Sequence, residues 1–139
     1  MISINYLVEN PFSKKQEINI KNWLEKTIIL EGKKPGDINY IVCSDEYLLG
    51  INNTFLHHDT YTDIITFPTA IHSCIISGEI YISIDRVIDN ATSHHVSFYD
   101  EFSRVFIHGI LHLLGYNDHE PEEILEMRSK EDYYLNLRP

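Results

Sequence analysis

The sequence predicts an α+β domain: a small mixed sheet of four strands covered by about five helices, one of them central and buried. Three observations predict it. Alternating or β-branched segments are spread along the chain instead of being clustered. Segments of helical spacing, most with a capping residue at the start, lie between and after them. No repeat, low-complexity run or linker divides the 139 residues, a length that suits one domain with a proper core.

Taken in order, Ile2, Ile4 and Tyr6 alternate with polar residues and give a first strand. From about Ser13 to Glu31, apolar groups recur at helical spacing (Ile18, Ile20, Trp23, Leu24, Ile28) behind a serine cap. Lys33 to Gly36 reads as a turn, and Ile38, Tyr40 and Val42 as a second strand. Ser44 caps a short helix through Tyr47, Leu48, Ile51 and Phe55, with Gly50 as its weak point. His57 to Tyr61 is loop-like. Its His57, His58 and Asp59 read as a surface loop or, alternatively, as a ligand cluster. Asp63 to Phe67 is a β-branched strand ended by Pro68, and Gly78 to Ile84 is another, with Ile80, Ile82 and Ile84 on one face. Asp85 caps a helix to about His94. The central helix runs from about Phe98 to Leu114 and is apolar on nearly all sides. The last helix runs from Pro121 to about Leu135, with Glu122 and Glu123 in the first turn, where the macrodipole favours acids.

The central helix carries the chemistry in His108-Gly-Ile-Leu-His112-Leu-Leu-Gly115-Tyr-Asn-Asp118-His119. Histidines four apart on a helix point the same way. Gly115 stops the helix, so the chain can turn back and offer a third ligand. Two imidazoles plus one returning side chain can hold a catalytic zinc ion with one position open. The third ligand is Asp118 or His119, since both carboxylate and imidazole bind zinc. The other readings are a turn or cap residue for Asp118, an exposed side chain for His119, and satisfied core histidines for His108 and His112.

Composition narrows the partners. The net charge of −10 excludes a surface that attracts nucleic acid as a whole, but leaves room for a local cationic groove. Lys14-Lys15 and Lys33-Lys34 read as solvated helix ends. Cys43 and Cys74 are too few for a disulfide scaffold or a cysteine metal site, and suit a reduced cytoplasmic setting. The first residues do not read as a signal peptide, and no apolar run is long enough to span a bilayer.

The histidine block resembles the signature of the YbeY family, bacterial rRNA maturation factors and zinc-dependent endoribonucleases. Two further blocks are similar to the family's. One runs from Ile51 through Asp59, Thr62-Asp63 and Phe67-Pro68, and the other is Gly78-Glu79-Ile-Tyr-Ile-Ser. The resemblance implies an α+β fold with a zincin-like metal helix and one Zn2+ ion. It implies single-strand-specific RNA cleavage, maturation of the 3′ end of small-subunit rRNA, and ribosome quality control. It also implies rRNA, the small ribosomal subunit and ribosome-associated assembly factors as partners, with neither membrane nor DNA among them.

Three positions depart from the family pattern. The family's third histidine sits six after the second, where this chain has Asp118, with His119 next; register favours Asp118, and a one-residue insertion at Asn117 would favour His119. The family's arginine after the second helix is replaced by Leu56. The strand acid is Glu79 rather than aspartate. Arg104, one turn before His108, is the substitute cation this chain offers toward a phosphate, or else an ion-pair partner of Glu101 or Asp100.

The expected chemistry is phosphodiester hydrolysis at zinc held by His108, His112 and Asp118, with water or a neighbouring 2′-hydroxyl as nucleophile. The general base is open between His119, if it is not a ligand, and Glu79, if it approaches the site. Two rivals stand. A zincin-type metallopeptidase needs a glutamate after the first histidine, where this chain has Gly109. A non-enzymatic ribosome assembly factor would hold a structural metal.

Overall fold

Alternation along the strands decides which side each helix takes. The computed structural model describes residues 1–57, 61–69 and 74–139. In chain order the elements are β1 (Ile2–Tyr6), α1 (Lys14–Leu30), β2 (Lys34–Cys43), α2 (Asp45–Leu56), β3 (Ile64–Pro68), β4 (Ile75–Ser83), α3 (Ile84–Ser93), α4 (Phe98–Leu113) and α5 (Pro121–Leu135). The sheet order is β1-β2-β4-β3; β1, β2 and β4 are parallel, and β3 is antiparallel to β4. This is the expected mixed four-stranded sheet with five helices.

Ile2, Ile4, Ile38, Tyr40, Val42, Ile80 and Ile82 share one face of the sheet and one core with α1 and α4. The opposite face places Cys43 and Ile65 against Leu48 and Ile51 of α2. Capping sets the helix starts. Ser13 and Gln16 form a capping box on α1, and Ser97 accepts from the N–H of Asp100 at the start of α4. Pro121 opens α5, and the Glu123 carboxylate accepts from the Glu120 N–H at 2.9 Å.

Helix α4 packs tightly on the sheet at Gly109, where a Cβ would meet the Cδ1 atoms of Ile80 and Ile64 at 3.0 and 3.1 Å. Two polar ties reinforce the packing. The Tyr40 hydroxyl donates to the Phe106 carbonyl of α4 at 2.7 Å, and Trp23 Nε1 of α1 donates to the Tyr134 carbonyl of α5 at 2.8 Å.

Three boundaries differ from the sequence expectation; the first is β4, which begins at Ile75 ahead of Gly78 and yields Ile84 to α3. Strand β2 begins at Lys34, so Lys33–Gly36 is not one turn; Lys34 and Pro35 pair with Ile75 and Ile76 ahead of a register shift. Gly36 is needed there because a Cβ would collide with Ser77 Oγ and Ile75 Cγ2. At α3 the cap is Ser83, whose hydroxyl accepts from the Arg86 N–H at 3.2 Å. Asp85 instead accepts from the Asp45 N–H at 2.8 Å, which joins α3 to α2. No helix among the described residues is long and apolar enough to cross a membrane.

Candidate metal centre

Helix α4 ends at the glycine the sequence marks as its stop. Gly115 sits at φ +104°, its N–H bonded to the His112 carbonyl and that of Tyr116 to the Leu111 carbonyl. These paired bonds are those of a Schellman turn. The turn aims the Tyr116 carbonyl at His112, whose Nδ1–H donates to it at 3.0 Å. It also carries Asp118 back over the helix end.

His108 Nε2 and His112 Nε2 are 2.9 Å apart, and Asp118 Oδ2 lies 3.3 and 3.5 Å from them. Zinc bonds of about 2.0–2.1 Å in a tetrahedron separate donors by roughly 3.3–3.4 Å. The three donors therefore have the spacing of a zinc-sized cation site. Their chemistry agrees. A carbonyl only accepts, so His112 carries its proton on Nδ1 and leaves a lone pair on Nε2. His108 has the same arrangement, with Nδ1 bonded to Glu131 Oε2 at 2.6 Å. With His108 neutral, two lone pairs and a carboxylate oxygen face one point, where a cation satisfies all three. Among the described residues this is the one such group of three His, Cys, Asp or Glu side chains.

The surroundings tune it. Glu131 is 4% exposed and bridges His108 to Arg104, whose Nη1 donates to Glu131 Oε1 at 2.8 Å. Burial pushes the Glu131 carboxyl up, but its bonds from His108 and Arg104 win and hold it below the usual range. Burial pushes His108 down, yet the bond to Glu131 and the charges of Glu131, Asp118 and Asp63 raise it above an ordinary imidazole. His112 is lowered by burial and by the charge of His108. Asp63, just before β3, is pushed up by burial while His108 opposes the shift.

A second carboxylate serves the turn. Glu31, beyond the end of α1, accepts from the hydroxyls of Tyr116, at 2.6 Å, and Tyr134, and from Lys130 Nζ at 3.3 Å. It ties the metal turn to α1 and α5 together.

Two clefts flank the donors. One, of about 370 Å³, lies toward α3 and α5 and includes Asp63, His108 and Asp118. The other, of about 710 Å³, runs beside β3 and includes Leu56, Asp63, His108, His112, Asp118 and His119.

His108, His112 and Asp118 thus come together, whereas His119 is exposed on the wall of the wider cleft and lies outside the trio. Glu79 does not approach. Its neighbour Ile80 packs toward α4, so strand alternation turns Glu79 to the other face, where it is exposed beside Tyr81. Arg104 is ion-paired, but its partners are Glu131 and Asp132 of α5, at 2.8 Å each, and neither Glu101 nor Asp100. Glu101 is buried and meets His94, and Asp100 meets Arg138. His57 ends α2 in the left-handed region, at φ 56°; His58 and Asp59 lie outside the described residues.

Sequence reasoning missed Glu131 and Asp63. Glu131 had a signal: it shares the buried stripe of α5 with Met127 and Tyr134, and an acid on such a stripe needs a partner.

Fold and donor set define the class: an α+β domain presenting a two-histidine, one-aspartate cation site at the end of a buried helix. The family model for endoribonuclease YbeY matches residues 7–138. The endoribonuclease YbeY of Flavobacterium psychrophilum is 47% identical over 137 residues, covering 99% of this chain and 96% of its own. That of Cytophaga hutchinsonii is 47% identical over 130 residues, covering 94% and 91%. The solution structure of TM1509 from Thermotoga maritima superimposes with a TM-score of 0.69 at 31% identity, covering 98% of this chain and 87% of that one. The chain belongs to the YbeY endoribonuclease family.

Proposed function

We propose that this protein is a zinc-dependent endoribonuclease that cuts single-stranded RNA. Its substrate is the 3′ region of small-subunit rRNA, its setting the cytoplasm, and its partners the small ribosomal subunit and ribosome-associated assembly factors. The observation that carries the reading is the convergence of three lone-pair donors between two open clefts, each imidazole oriented from behind. The relatives' shared name, endoribonuclease, supplies the reaction class.

In this reading His108, His112 and Asp118 hold the zinc, which when bound polarises a phosphoryl oxygen and makes a nearby water or hydroxyl more acidic. Glu131 and the Tyr116 carbonyl keep both rings in the tautomer that offers Nε2. Arg104 holds Glu131 in place instead of meeting RNA. We assign proton acceptance to Asp63, a half-buried carboxyl that lines both clefts beside His108. A peptidase base has no place, because Gly109 lies against Ile80 and Ile64 with no space for a carboxylate.

The test is cleavage of end-labelled single-stranded and duplex RNA by zinc-loaded protein. Single strands are cut, and His108→Ala and Asp118→Ala abolish cutting while circular dichroism stays native. Equal cutting by these variants refutes the reading. Unfolding on loss of the metal, with no cleavage by the parent protein, makes the site structural. Turnover of casein would instead establish a peptidase.

A further inference from the structure

The cleft on the α5 side of the donors does not stop there. A second hollow of about 680 Å³ adjoins it, and the two share His94, Glu101, Arg104 and Arg128. Together they mark a groove from the donors along α4 and α5. Of the four arginines in the chain, Arg104, Arg128 and Arg138 line it. The wider cleft beside β3 has no lysine or arginine among its described residues. In a protein of net charge −10, this is an uneven distribution around one centre.

The groove's acids are largely matched. Glu131 and Asp132 hold Arg104, Asp100 holds Arg138, and Glu101 meets His94. Arg128 differs. It is exposed on α5, one residue past buried Met127, and has no acid partner among the described residues. A guanidinium with its donors free, in the same cleft as His108 and Asp118, suits a phosphate oxygen.

We propose that single-stranded RNA reaches the centre along the α4–α5 groove, with a backbone phosphate held by Arg128. This inference rests on the ribonuclease reading. It assigns to Arg128 the phosphate contact that Arg104, held by two carboxylates, does not make. Arg128 is a positioning residue here; it binds the strand beside the cut and moves no proton.

The experiment measures anisotropy of a labelled, 2′-O-methylated oligouridine 12-mer on the zinc-loaded protein across a salt series. Arg128→Ala raises Kd roughly fivefold at low salt and lowers the slope of log Kd against log salt by about 0.7, one phosphate contact on a single strand. Lys26→Ala, which removes an equal charge from an exposed position of α1, changes neither. Zinc content stays stoichiometric in both variants. Arg128→Ala binding like Lys26→Ala overturns the inference while leaving the ribonuclease reading intact. Absence of salt-dependent RNA binding by the parent protein removes that reading, and the groove assignment with it.

Discussion

Glu131→Gln isolates the contact behind His108. The native carboxylate has two acceptor oxygens and uses both: Oε1 takes Arg104 and Oε2 takes the Nδ1–H of His108. Glutamine keeps the shape but has one acceptor. If its oxygen stays with Arg104, its NH2 faces His108 Nδ1, and the ring must move its proton to Nε2, the atom needed for metal. The lost bond is short, 2.6 Å, and set between side chains only 21% and 6% exposed. A hydrogen bond to a charged group in such a place contributes about 1.5–3 kcal/mol. Loss of a carboxylate behind a ligating histidine costs about 10- to 100-fold in metal affinity, or roughly 1.4–2.7 kcal/mol. The two figures agree, so zinc affinity should fall within that range. Competition against a chromogenic chelator reads the affinity, and long-range 15N–1H correlation of the imidazoles reads the tautomer. Unchanged affinity with His108 still protonated on Nδ1 would refute the reasoning.

Three other outcomes are expected. Asp118→Ala abolishes stoichiometric zinc by elemental analysis while His119→Ala keeps it, because His119 is outside the donor trio. Gly109→Ala lowers stability by about 1–3 kcal/mol in urea titration, since the new methyl presses on Ile80 and Ile64. The third concerns pH. Glu131 is lowered, so its contribution to the metal-free fold is present above its usual 4.5 and lost as pH falls through its folded value. His108 is raised, so its contribution is full below its usual 6.5 and lost as pH rises through its folded value. Thermal scans of metal-free protein should therefore show this pair's stabilisation greatest between those limits. Zinc binding, which displaces a proton from His108, should instead strengthen as pH rises above 6.5.

The parts of the fold legible in the sequence are those governed by local rules. Alternation at Ile2, Ile4, Tyr6 and at Ile38, Tyr40, Val42 placed two strands, and Ser13 and Ser44 begin helices through hydrogen bonds to nearby N–H groups. Gly36 misleads because glycine serves both turns and close approaches, and only the neighbouring strand reveals which. Asp85 misleads because serine and aspartate both cap, and the contact of Asp85 with Asp45 lies forty residues back in the chain. In the candidate site, the histidine spacing and Gly115 act within one helix turn and could be read directly. Arg104 could not, since its acids come from α5 and are distant in sequence. Glu79 is a matter of register: one step along β4 exchanges the face toward α4 for the opposite one.

Helix α5 lends no atom to the donor trio, yet it reaches both imidazoles. It meets His108 through Glu131, and His112 through Tyr134, Lys130, Glu31 and Tyr116. Grip on a cation held by the trio would therefore be adjustable from outside the ligand motif. A protein engineer could retune this centre for a looser or tighter ion by editing that strut alone, with the histidine signature untouched.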